Sequence, residues 1–315
     1  MKSYKPFVNT IFNLFLVFLL LMPIQMVAQD TQAKKIILET NMCLDVDDVG
    51  ALAMIHALQN RGETDLLAVC FNEVHPSGAA AIDAINTWYG RGDIPVGVYK
   101  GPFPDPDTSA YLDNLTKFPH DIDSKNALSA LEVYREVLAK QPDNSVTIIS
   151  VGFLNNLGDL LKNDPGLVAK KVKELVIMGD HNNDSHNLGF HNTASAAQNV
   201  LENWSSPIVF HHLGGDVLTG SGLKETPVEN PVREAYYKYF GSQFRERPSW
   251  DPITVLYGVR GTSGYFTKNS TGTGSTPNGF KWELKPRHHS FLEALLPVDS
   301  YAKIIQDLML EPPMK

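Results

Sequence analysis

The sequence predicts an α/β protein built on a mostly parallel central sheet with helices on both faces. Three observations carry this: short apolar, β-branched runs alternate with helical periodicity, 43% of the residues are hydrophobic, and an acidic turn directly follows the first mature apolar run. With 315 residues the chain has material for one large core.

The first 28 residues stand apart. Lys2 and Lys5 precede an apolar run over 11–22, and polar sequence resumes at Gln29 after Val27-Ala28, which is the order of a secretory signal peptide. The run is short for a membrane span, which needs about 20 apolar residues. Cleavage after Ala28 is expected, leaving a single domain over 29–315 that works in the periplasm or outside the cell, free of the membrane.

Residues 35–38 form a short apolar run, and Val49, Leu52, Ile55 and Leu58 then recur at helical spacing, so the segment reads as strand, acidic turn, helix. The alternation continues with a strand over 66–71, a helix over 79–89, a strand over 94–98 and a helix over 127–139. The β-branched run 146–151 predicts a strand, followed by a helix over 156–161, a strand over 175–178, a helix over 194–204 and a strand over 207–210. Residues 224–247 read as a helix carrying Tyr236, Tyr237, Tyr239 and Phe240, with Pro248 to Pro252 interrupting it. The Gly-, Ser- and Thr-rich stretch 262–286 reads as a hairpin with long loops, and 300–309 as a closing helix. Asp83 and Asn86, at i and i+3 of one helix, read as capping or solvent-facing residues. The pairs His211-His212 and His288-His289 read as a strand-end and a loop feature.

Composition excludes several functions. Lys and Arg total 27 against 35 Asp and Glu, a formal charge of -8 that becomes -10 once Lys2 and Lys5 are removed, and no basic run could track a nucleic-acid backbone. No nucleic-acid partner is expected. Two cysteines cannot build a disulfide scaffold or a four-cysteine zinc site. Cys43 and Cys70 each lie in apolar sequence, and both a pair and two buried thiols remain open. No Gly-x-Ser-x-Gly elbow supports a serine hydrolase.

Asp45, Asp47 and Asp48 follow the first strand, where ligands bind in an open parallel sheet. Three carboxylates in four residues repel one another, so something positive should offset them, and oxygen clusters suit a hard cation such as calcium or magnesium. The plainer reading puts Asp47 and Asp48 in the first helical turn, where the helix dipole favours negative charge by about 0.3–1 kcal/mol.

The run Asn41-Met42-Cys43-Leu44-Asp45-Val46-Asp47-Asp48-Val49-Gly50-Ala51-Leu52 resembles the aspartate motif of the inosine-uridine-preferring nucleoside hydrolases, D-x-D-P-G-x-D-D-A-x-A-L. Further segments resemble that family in the right order: residues 68–72, ending Phe71-Asn72 where the family has Gly-Asn, Asp93-Ile94-Pro95-Val96, residues 150–157 (G-x-L-T-N), residues 175–179 (M-G-G), Ser185-His186-Asn187-Leu188 (E-F-N-I) and Trp250-Asp251-Pro252 (H-D-P). The resemblance implies hydrolysis of the N-glycosidic bond of ribonucleosides, or related ribosides, with a calcium ion. Asp48, Asp251 and the carbonyl of Val151 become metal ligands, Asp47 and Asn187 hold ribose hydroxyls, and Asn72 meets the sugar near its 5′ end. The metal would orient the sugar diol and lower the pKa of a bound water, with surrounding carboxylates stabilising an oxocarbenium-like transition state. A homo-oligomer acting on a small-molecule substrate is expected.

Two departures stand out. The second aspartate of the motif is Cys43 here, a poor calcium ligand, while Asp45 two residues on is positioned to act as general base and ligand instead. The family's histidine before the last aspartate is Trp250, which can stack on a flat ring but cannot protonate a leaving group. His181, His186 and His191 are the candidates for that proton and for substrate contact; each is equally read as an ordinary loop residue. Two other functions compete: a ribose or nucleoside binder that has lost its chemistry, and a magnesium phosphohydrolase built on Asp45 and Asp47. The last would be insensitive to Asp251→Ala.

Overall fold

β1 (Lys34–Thr40) is an inner strand, beside the central one, of a nine-stranded sheet in the computed structural model, which describes residues 32–104, 106–179, 187–189, 193–275, 281–283 and 288–314. Across the sheet the order is β10 (Phe266–Asn269), β13 (His289–Ala294), β7 (Ile208–His211), β6 (Val172–Met178), β5 (Val146–Ser150), β1, β2 (Thr64–Phe71), β3 (Val96–Val98) and β4 (Leu128–Ser129). Every neighbouring pair is parallel except β10 with β13. The expected signal peptide, 1–28, lies outside the described residues; Ala33–Lys315 cluster as one unit. No helix among the described residues is long and apolar enough to cross a membrane.

The pleat of β1 explains why both faces are covered. Ile36 and Leu38 enter one apolar layer and Ile37 the other, all fully buried. The first layer packs α1 (Asp47–Asn60), α9 (Trp250–Arg260) and α10 (Val298–Met309) against the sheet; the second packs α4 (Ala130–Ala139), α5 (Asn155–Asn163), α6 (Pro165–Lys171) and α7 (Ala194–Asn203). α1 is buried from Asp47 through Leu58, a helix clad all round rather than amphipathic.

The chain runs outward from β1 through β2 and β3 to β4, then returns to β5 on the other side of β1. The strand order therefore reverses between β1 and β5, and the crevice at their carboxyl ends is the expected ligand position. The acidic turn leaves one of these ends and Val151 the other.

Three expectations change. The helix read over 224–247 is only α8 (Pro231–Tyr239): Asn230 caps it through Val232 N at 2.9 Å, Pro231 occupies its first turn, and Gly241 at φ 65° ends it. Instead of an interruption at Pro248 to Pro252, α9 begins at Trp250, because Pro252 falls in the first helical turn, where no intrahelical partner is lost. The stretch 262–286 divides its strands: β11 (Thr273–Ser275) pairs with β12 (Lys281–Glu283), while β10 joins the main sheet through β13.

Some side chains also differ from expectation. On α2 (Gly78–Trp88), Asp83 and Asn86 are fully buried: Asp83 accepts the backbone N–H groups of Asp121 and Ile122, and Asn86 meets His56 at 2.9 Å. His289 is fully buried at the start of a strand and accepts the Gly274 N–H. Cys43 and Cys70 are both buried free thiols.

Candidate active site

Glu39, one residue before the end of β1, anchors the floor of the crevice. Its carboxyl is fully buried and receives Tyr134 OH at 2.7 Å, Asn72 Nδ2 at 2.8 Å and Asn156 Nδ2 at 3.2 Å. Burial, only partly offset by these donors, pushes its pKa up to about 8. Asn72 passes the constraint on: its Oδ1 accepts Phe153 N at 3.1 Å, while Val151 N donates to the Glu39 carbonyl at 2.8 Å. Gly152 between them must be glycine, since a Cβ there would lie 2.5 Å from Asn41 N and 2.6 Å from Asn72 Oδ1.

The Val151 carbonyl accepts Asn187 Nδ2 at 3.2 Å. Those two predicted residues are thus in contact. Asn72, expected on the sugar, is fully buried with both side-chain polar atoms engaged, and serves as a strut beneath the crevice. His181, His186 and His191 lie outside the described residues.

The acidic turn and α9 converge beside this floor. Asp45, Asp47 and Asp251 each offer a carboxylate oxygen within 4.8 Å of the others. Asp251 N, at the start of α9, donates to Asp47 Oδ2 at 3.2 Å and so locks helix to turn. Asp48 receives the Thr40 hydroxyl on Oδ1 and is in hydrogen-bonding contact with Asp251. The sequence reading put Asp48 among the ligands and Asp47 on the ribose, whereas in the structure Asp47 stands in the three-oxygen group and Asp48 beside it.

The electrostatics are costly. Asp47, Asp48 and Asp251 are all nearly fully buried. Burial first, and then the neighbouring acids, raise their pKa values well above the usual carboxylate range. Asp47 Oδ1 is buried with no hydrogen-bond partner. An all-oxygen donor set with an orphaned carboxylate oxygen fits a hard divalent cation. Cys43 does not fit one: its thiol is fully buried, and burial holds it protonated.

Besides Glu39, two groups beside the acidic cluster escaped the sequence reading. Arg247, on β9 (Arg247–Pro248) paired with β8 (Leu218–Thr219), donates to Asp45 Oδ2 at 2.6 Å and lies over the partly buried Trp250 ring. Burial opposes its charge, but Asp45 and Asp47 outweigh burial and raise its pKa. The signal was present, since three clustered acids call for a counter-charge, but Arg247 lay inside the segment read as helix. Tyr236 of α8 has a buried hydroxyl without a hydrogen-bond partner, and burial first, then the charges of Asp47, Asp45 and Asp251, raise its pKa.

The fold resembles solved structures. Similar ones are an inosine-uridine preferring nucleoside hydrolase from Bacillus anthracis (14% identity, covering 88% of this chain and 99% of that one, TM-score 0.64) and a purine-preferring ribonucleoside hydrolase from Gardnerella vaginalis (16%, 88% and 99%, 0.64). A third is the type III effector protein XopQ complexed with adenosine diphosphate ribose (16%, 88% and 93%, 0.65). No curated protein matches the chain. The family model for inosine-uridine preferring nucleoside hydrolases matches residues 36–276, and the chain therefore belongs to that family of N-glycosyl hydrolases.

Proposed function

We propose that the protein is a calcium-dependent hydrolase of N-glycosidic bonds in ribonucleosides or related ribosides, exported by its first 28 residues and working as a homo-oligomer. The observation that carries this reading is the buried Asp47 Oδ1, which accepts no hydrogen bond, within the Asp45, Asp47, Asp251 group. Asp45, Asp47, Asp48, Asp251 and the Val151 carbonyl are the groups available to hold the cation. When bound, calcium supplies Lewis acidity, orienting a sugar diol and lowering the pKa of water.

The chain's own residues do the rest. Asp47 and Asn187 bind ribose hydroxyls, and the carboxylates stabilise positive charge that develops on the sugar as the bond to the base breaks. Asp45 takes the proton from the attacking water. Trp250 offers a flat face to the base. Asn72 supports Phe153 from below. His186 is assigned to substrate contact on its sequence position alone.

Two variants test these roles by following free-base release. Asp48→Ala should abolish both calcium binding and turnover. Asp45→Asn should lower kcat at saturating calcium by about 10²–10⁴-fold, as removal of a general base does, and weaken calcium binding as loss of one ligand does. Turnover by Asp45→Asn at the parent rate would exclude Asp45 as the base.

A further inference from the structure

Arg247 occupies ground that a cation would contest. Its Nη2 donates to Asp45 Oδ2 at 2.6 Å, and its Nε lies 3.6 Å from Asp47 Oδ1. The guanidinium is held over the rings of Trp250 and Tyr239, 5.2 and 5.8 Å from their centroids. Asp47 Oδ1 and Arg247 Nε are both buried atoms without a hydrogen-bond partner, and they face each other just beyond hydrogen-bonding distance. A desolvated donor and a desolvated acceptor left so close form an unfinished bond. A small shift of the side chain would close it and grip both acids with one fork.

The two carboxylates involved, Asp45 and Asp47, are two of the three whose oxygens gather within 4.8 Å. An oxygen that accepts from a guanidinium in the carboxylate plane has fewer lone pairs to offer a metal, and the guanidinium's charge repels any cation that approaches. We propose that Arg247 is a built-in counter-ion of this cluster, exchanging with the divalent cation for Asp45 and Asp47 and so setting how tightly the cation is held. The inference rests on the cation reading above. In the cation's absence Arg247 offsets part of the carboxylate repulsion; on binding it gives up its hold on the acids and is retained beside the rings of Trp250 and Tyr239. The site is thereby kept folded when empty, at the expense of affinity.

The test is calorimetric titration of calcium, magnesium and manganese into the purified protein, its Arg247→Gln variant, and Lys303→Gln, which removes the same charge from an exposed position on α10. Arg247→Gln should bind calcium at least about tenfold more tightly and melt at a lower temperature in chelator, with Lys303→Gln showing neither change. Natively folded Arg247→Gln that binds calcium no more tightly than the parent overturns the inference while leaving the cation reading intact. If neither protein binds any of the three ions, the cation reading fails and the inference with it. Should Arg247→Gln not fold, crystals of the parent grown with calcium decide: the Arg247 to Asp45 separation should open beyond about 4 Å, and a bound cation beside an intact ion pair refutes the exchange.

Discussion

Glu39 is a carboxyl without solvent, held by three neutral donors and shifted up to about 8. Its folded pKa lies above its unfolded value of 4.5, so its contribution to stability is full below that value and is lost as the pH rises through about 8. With calcium in excess, Glu39 should make the melting temperature fall between about pH 4.5 and about pH 8, and Glu39→Gln should flatten that fall; an unchanged slope in the variant would assign the pH dependence elsewhere. At this scale the sequence was legible where charge was dense. Asp45, Asp47 and Asp48 announced themselves by repulsion, and Asp251 by its place in a motif. Glu39 and Arg247 did not, because a single acid ending a strand and a single arginine among aromatics carry no local pattern. Their roles come from partners 33 to 202 residues away.

Among the elements, the loop after β5 and helix α9 bring the two halves of the site together, and each depends on a glycine. At Gly152 an added methyl would strike backbone, Asn41 N at 2.5 Å; at Gly258 it would strike a side chain instead, Ile149 Cδ1 at 2.3 Å and Cγ1 at 2.7 Å. Gly152→Ala should therefore cost about 1–3 kcal/mol and weaken calcium binding, while Gly258→Ala should cost less and leave calcium affinity near the parent value. Chemical denaturation with and without calcium separates the two, and equal losses in both variants would contradict this assignment. The strands flanking β1 were readable because burial on both faces leaves an uninterrupted apolar signature. α9 was not, since Pro248 and Pro252 read as breakers until the structure placed the second in a first turn. β10 and β13 were not either, because their partnership spans a segment whose own composition suggests a local hairpin.

For the whole molecule, the reversal of strand order between β1 and β5 puts the acidic turn, the Val151 carbonyl and Asn187 at one crevice, and the antiparallel edge of β10 lies four strands beyond β5. The doubly covered sheet followed from alternation alone. The meeting of Asp251 with the acidic turn, more than two hundred residues apart, was implied by the motif resemblance, and its hydrogen bond to Asp47 came from the fold. A buried cluster of this kind makes stability depend on what fills it. Calcium at a hundred times its Kd should raise the unfolding free energy by about 2.7 kcal/mol, seen as a higher melting temperature that chelator reverses. Asp251→Asn should show much less of that rise. Export is tested separately by sequencing the N-terminus of the protein recovered outside the cytoplasm, which should begin at Gln29.

The central claim, that these carboxylates hold a cation for N-glycosidic hydrolysis, is tested most directly by reducing-sugar release from a panel of ribonucleosides by the purified protein, first with calcium and then with chelator. The account predicts release from at least one nucleoside that stops with chelator and returns when calcium is restored. Release that is indifferent to chelator, or no release from any riboside by protein that binds calcium, would contradict it.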